Sequence, residues 1–163
     1  MTLTRRTSSP PASSTALLDF LNSHAYEGHP DDLSTFAAHP SDRVEDLRRL
    51  RDLLRGLVAD SSSQSRRDDL SDWIGTTPLI LGMDADGSLV IRPGDDTHTA
   101  AMLASVLELL RDGWWQRLRL CANVKECGVT FIDESRGGQR RWHAVETCGN
   151  RINSRRHRAR QQS

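Results

Sequence analysis

The apolar positions of this chain fall into blocks separated by polar turns, and most blocks repeat at helical intervals. In "STALLDFLNSHAYE", Leu17, Leu18, Phe20 and Leu21 form one face of a short helix, with Ser14 or Thr15 placed to cap it. The strongest helical pattern is "SDRVEDLRRLRDLLRGLVAD". Val44, Leu47, Leu50, Leu53 or Leu54, Leu57 and Val58 recur there at i, i+3, i+4 and i+7, behind an N-terminal signal at Ser41 and Glu45. A polar turn then leads into a weaker helix in "SSSQSRRDDLSDWIGTT", ending at Gly75. "PLILGMDADGSLVIRPGDD" predicts two short strands joined by a turn at Asp84 to Gly87. From Thr97 the helical period returns and runs for about six turns toward Leu120, with Gly113 as its one interruption.

Composition places the chain among globular proteins, with 36% apolar and 27% charged residues. No apolar run approaches the roughly 20 residues needed to cross a bilayer. The opening "MTLTRRTSSPPASS" reads as a loose tail, residues 1–14, and the "ALLDFL" that follows is too short for a secretory signal and carries Asp19. A cytoplasmic location without membrane contact is therefore expected. The formal net charge of zero conceals an asymmetry: residues 114–163 hold 11 Lys and Arg against 4 Asp and Glu, while residues 1–113 hold 11 against 18. Either the C-terminal part meets a polyanion or the two parts neutralise each other in the fold.

All three cysteines lie beyond Leu120. Cys121 and Cys127 form one pair; after 15 intervening residues comes His143, and after four more comes Cys148. Two ligand pairs flanking a short hairpin suit structural zinc, which takes four thiolate or imidazole ligands in a tetrahedron. So short a segment builds little core of its own, and metal binding would supply the missing folding free energy. "GVTFID" and "RRWHAV" are the expected hairpin strands, bringing Phe131 and Trp142 into a small core, and Cys148 opens a helix. The first spacing, five residues, exceeds the usual two to four. The competing reading makes the cysteines small buried apolar groups; a disulfide would leave one unpaired. A nucleophile–base pair of Cys148 and His143 lacks a pocket and an orienting third group, and a catalytic zinc would need an open position, so no enzyme is expected.

The run "LRLCANVKECGVTFIDESRGGQRRWHAVETCGNRINSRRHRAR", Leu118 to Arg160, resembles the CGNR zinc finger, named for the Cys-Gly-Asn-Arg found here at Cys148, Gly149, Asn150 and Arg151. "LLDFLNS", Leu17 to Ser23, resembles the opening of the ABATE domain that accompanies this finger in stress-induced transcription regulators. Where the family has Trp-Cys this chain has Trp142-His143, and its first cysteine spacing is one residue longer. Imidazole is an acceptable substitute ligand, so the resemblance implies structural Zn2+ on Cys121, Cys127, His143 and Cys148.

The expected architecture is α+β and mainly helical: a helical N-terminal domain with a small β-hairpin over residues 15–118, and a treble-clef-like zinc finger with a basic C-terminal helix over 119–163. The resemblance implies transcription regulation through DNA. The expected contacts are Arg136, Arg140 and Arg141 on the hairpin and Arg151, Arg155, Arg156, Arg158 and Arg160 on the helix, since guanidinium groups suit phosphate and guanine edges. An acidic protein partner for the same helix is the alternative. Sensing of a small-molecule effector or association, including as a homodimer, is the expected role of the helical domain. His24, His29, His39 and His98 lack ligand spacing, and "DADG" lacks the acidic residue a calcium loop needs, so a turn is expected there.

Overall fold

The computed structural model describes residues 9–26, 28–124 and 126–161, without the side chains of Arg156, His157 and Ala159. Residues 1–8 of the expected tail, and Arg156 as an expected DNA contact, thus lie outside the described groups.

Helix α1 spans Ser13–Asn22 and buries Leu17, Phe20 and Leu21. Its cap residue is Ala12 rather than Ser14 or Thr15, with no side-chain cap; the Ser13 hydroxyl instead donates to Glu108 at 2.6 Å. Helix α2, Val44–Ala59, likewise starts without a side-chain cap, and Glu45 and Asp46 in its first turn oppose the positive end of the helix dipole. Ser41 falls in the preceding turn, where Asp42 N–H bonds His39. Helix α3, Gln64–Thr76, is followed by strands β1, Leu79–Met83, and β2, Leu89–Pro93, paired antiparallel with Leu81 opposite Ile91. "DADG" is their turn, closed by Asp84 N–H to Ser88 O at 2.8 Å, with Gly87 at φ +83°.

Helix α4, His98–Arg111, is capped by the Thr97 hydroxyl, and buried Asp42 accepts from the His98 backbone N–H at 2.7 Å. It does not continue to Leu120. Gly113 takes φ +74°, and Trp114 N–H reaches back to Leu109 O at 2.8 Å, the bonding of a Schellman stop. The stop turns the chain so that Trp114, 1% exposed, enters the core. A 3-10 turn at Trp115–Arg117 then feeds strand β3, Leu118–Leu120, which pairs antiparallel with β4, Thr130–Ile132. This corrects the expected hairpin partner: "GVTFID" pairs with the chain before the first cysteine, not with "RRWHAV". Arg140 N–H is diverted to the Asp133 carboxylate at 2.8 Å, and Arg141 O to Ala122 N–H at 2.8 Å, so neither serves a β4 ladder. A π-helical turn, Val145–Gly149, leads into helix α5, Asn150–Gln161.

The fold is α+β and mainly helical, with one hairpin beside the helices and one in the C-terminal module. One apolar core gathers α1, α2 and α4, and Leu118 and Ile132 from β3 and β4 belong to it. Burying each contributes roughly 1.5–3 kcal/mol, so the base of the finger is docked on the helices. The expected cut between residues 118 and 119 falls within β3. Buried Arg51, 2% exposed, is neutralised by a bidentate contact to Asp31 at 2.6 and 3.0 Å. Among the described residues no helix is long and apolar enough to cross a membrane.

Candidate metal centre

The centre is built at the free end of the β3–β4 hairpin. Cys121 follows β3 directly, with its N–H on Val129 O at 2.8 Å, so hairpin pairing fixes the first ligand. The long first spacing is taken up by one helical turn: Asn123 O accepts from the N–H groups of Glu126, Cys127 and Gly128 at 3.2, 2.8 and 3.3 Å. Gly128, at φ +63°, then reverses the chain into β4, a conformation that favours glycine. Val129 N–H donates to Cys127 Sγ at 3.4 Å.

The second pair comes from the start of α5. Cys148 lies in the π-helical turn, its N–H on Ala144 O at 3.1 Å, and His143 sits one residue before that turn's cap. His143 Nδ1 is 3.3 Å from Cys127 Sγ and 3.7 Å from Cys148 Sγ. Donor atoms from Cys121, Cys127, His143 and Cys148 all lie within 4.8 Å of one another. A zinc tetrahedron with Zn–S of ~2.3 Å and Zn–N of ~2.05 Å has sulfur–nitrogen edges of about 3.6 Å. The observed edges straddle that value, so the donors fit zinc in number, type and spacing. Burial pushes the Cys127 thiol up to about 12 in the protein alone, which is the electrostatic cost a divalent cation removes on binding its thiolate.

Support for these ligands comes from their surroundings, of which the sequence pointed to Phe131 and Trp142 but not to Asp133. Three buried cysteines and Phe131 pack with half-buried Val129 and Trp142. Buried Asp133 holds the loop after β4, accepting from Ser135 N–H at 3.0 Å, Ser135 Oγ at 2.5 Å and Arg140 N–H. Burial alone would raise its pKa, but these donors outweigh it and hold the carboxyl below its ordinary range. The "DES" triplet, an Asx-turn signal, was the available clue.

Gly149 of the CGNR run has a packing reason. A Cβ there would meet Trp142 Cδ1 at 3.1 Å and Val145 Cγ1 at 3.3 Å. Helix propensity favours Gly149→Ala by up to ~1 kcal/mol, whereas overpacking costs about 1–3 kcal/mol. We expect crowding to win, with a net loss of about 1 kcal/mol and a faster zinc transfer to a competing chelator. An unchanged transfer rate would show that Trp142 yields without cost.

The helices grip this module at its base. Asn22 of α1 donates to Thr130 O at 2.9 Å and accepts from Thr130 N–H at 2.7 Å, as an added strand would. Arg55 of α2 donates to Leu21 O at 2.8 Å, Thr130 Oγ1 at 3.0 Å and Gly128 O at 2.8 Å. It also lies 3.0 Å from His24 Nε2, which accepts from it because a guanidinium can only donate, and burial together with Arg55 lowers the His24 pKa. Burial, then the nearby Arg51, brings Arg55 itself down to about 10. The signal for both arginines was their interruption of the apolar stripe of α2 beside Leu50 and Leu54.

The expected arginines divide into three sets. Arg151, Arg155 and Arg158 share a groove of about 530 Å3 with Asn150, Ser154 and Glu126, and Arg155 forms an ion pair with Glu126. Arg140 lies 5.5 Å over the Phe131 ring and donates to His143 O, and Arg141 lies 5.1 Å over Trp142. Arg136 and Arg160 are exposed and do not line this groove. Of the histidines outside the centre, His24 meets Arg55, His29 stacks on Tyr26 at 4.3 Å, His39 accepts from Ser41 N–H at 3.2 Å, and His98 contacts Asp42 at 3.4 Å.

A hairpin knuckle, a second ligand pair at a helix start and a donor set matched to zinc define a zinc finger with structural Zn2+. Residues 117–161 match the family model of the CGNR zinc finger. No curated protein matches the chain.

Proposed function

We propose that this chain is a DNA-binding transcription regulator whose zinc finger presents α5 to the phosphate backbone, and whose helical part is an ABATE-like sensing and association domain. The supporting observation is the groove shared by Arg151, Arg155 and Arg158, spaced i, i+4 and i+7 on a helix that starts beside ligand Cys148. Metal binding would hold this cationic face at a fixed distance from the hairpin, and the exposed Arg136, Arg140, Arg141 and Arg160 would add phosphate contacts. In the helical part, the buried Leu17, Phe20 and Leu21 of "LLDFLNS", with Asn22 gripping Thr130, give the ABATE-like stretch a role in carrying the finger. Ile80, Leu81, Met83 and Leu89 are between 47% and 69% exposed on the β1–β2 hairpin, which supports association as a homodimer suited to paired half-sites.

Replacing Arg151, Arg155 and Arg158 together by Gln is expected to lower duplex affinity at least tenfold. The slope of log K against log salt should fall by about 2 to 3, since each phosphate contact contributes about 0.9. Fluorescence anisotropy over a salt series measures both, and an unchanged slope would place DNA on another surface. One observation favours an acidic protein partner instead: the groove already seats a carboxylate, Glu126, on Arg155. Selection from random duplexes separates these readings, because a module for acidic peptides should enrich no sequence.

A further inference from the structure

Between α2, α3 and the end of α4 lies a cavity of about 460 Å3, within the range of small-molecule sites. Its apolar wall is Leu57, Leu70, Ile74, Leu110 and Trp115. Leu57 and Leu70 are core residues, 4% and 8% exposed, whereas Leu110 is 38% exposed. The wall thus joins the core to open apolar surface. A second cavity of about 260 Å3 shares Leu57, Ser61, Trp115 and Gln116 and extends to Leu118 and Arg119. Trp115 therefore lines both spaces, on the 3-10 turn that runs into β3 and the first zinc ligand.

The rim of the larger cavity carries one cation, Arg67. Its Nη1 donates to Ser61 O at 2.6 Å and its Nη2 to Gln64 Oε1 at 2.7 Å. Both acceptors are neutral, and among the described residues no carboxylate forms an ion pair with Arg67. Two bonds orient the guanidinium while leaving its other donors for a ligand, and the Asp60 carboxylate acts on its charge only from beyond ion-pair contact. An apolar wall with one oriented guanidinium at its mouth matches a molecule with an apolar body and one carboxylate.

We propose that this cavity binds an amphipathic organic acid, its body against Trp115 and Ile74 and its carboxylate on Arg67. The proposal gives the sensing role of the helical part a site and a ligand class, and rests on that reading only for its regulatory consequence. Ligand binding presses on the turn that carries β3, so occupancy would bear on the placement of the finger.

The test is a titration of the full-length zinc-loaded protein with 1-anilinonaphthalene-8-sulfonate, an aromatic body with one anionic group. One saturable site per chain is expected. Ile74→Trp, which fills the cavity, and Ser71→Trp, on its exposed rim, should each weaken binding at least tenfold, and Arg67→Gln several-fold, with circular dichroism confirming the fold of each variant. Decanoate should displace the dye at concentrations where decanol does not. Non-saturable binding, titrations unaffected by both tryptophan variants, or equal competition by decanol would overturn the proposal. Because no DNA is present, failure here leaves the DNA reading standing, and failure of DNA binding leaves the dye titration interpretable.

Discussion

Removing zinc with a chelator is expected to unfold the finger beyond β4 while leaving its base in place. Among the described residues the C-terminal module has a core of four buried residues, three of them the ligand cysteines, so little apolar burial survives without the metal. Zinc binding contributes about 10–16 kcal/mol in isolated zinc-finger peptides, far more than such a core can supply. The β3–β4 hairpin differs, because Leu118 and Ile132 belong to the main core and Asn22 and Arg55 bond its backbone. Hydrogen exchange should therefore show lost protection over residues 143–161 and retained protection at Leu118 to Leu120 and Thr130 to Ile132. DNA binding should disappear along with α5. Cys148→Ser should reproduce the result, His143→Ala should weaken zinc at least a hundredfold, and His143→Cys should keep it, since thiolate and imidazole both serve zinc. Retention of zinc by His143→Ala would remove that histidine from the site.

The second large effect is expected at Arg55. Its substitution by Met leaves Leu21 O, Gly128 O, Thr130 Oγ1 and His24 Nε2 without their donor in a half-buried seam. Leaving buried acceptors unpaired costs about 1–3 kcal/mol each, with incomplete additivity, so a loss of about 3–4 kcal/mol is expected. Arg55→Lys should recover only part of it, because an ammonium cannot copy the guanidinium fork. The exposed Arg49, whose partner Asp46 is 3.8 Å away, is the control, and Arg49→Ala should cost less than ~0.5 kcal/mol. Urea unfolding measures all three. Zinc release should also accelerate in Arg55→Met, since Gly128 adjoins ligand Cys127; release at the original rate would mean that the seam and the knuckle are uncoupled.

Much of the site was legible in the chain. Cysteines have few uses at such spacings, and zinc demands donor types that stand out in a sequence, so Cys121, Cys127, His143 and Cys148 could be paired before any coordinates. The helices were legible because burial on one face imposes a 3.6-residue period, as in α2. Boundaries were less so. Ser14, Thr15 and Ser41 were credible caps, yet α1 begins at Ser13, which puts Ser14 and Thr15 inside its first turn, and α2 begins with acidic residues in place of a cap.

What the sequence by itself determined is the local chemistry: the helical period, the turn at Gly87, the stop available at Gly113, four zinc donors and a basic C-terminal helix. Each depends on neighbouring residues or on the intrinsic preferences of a side chain. Tertiary structure alone decided that β4 pairs with β3, that Asn22 and Arg55 clasp Thr130 and Gly128, that Arg151, Arg155 and Arg158 share a groove with Glu126, and that Trp115 faces two cavities. The physical reason is that strand pairing and buried polar bonds join groups far apart in the chain. Their partners are chosen by which backbone and side-chain groups would otherwise be buried unpaired, and no local pattern records that choice.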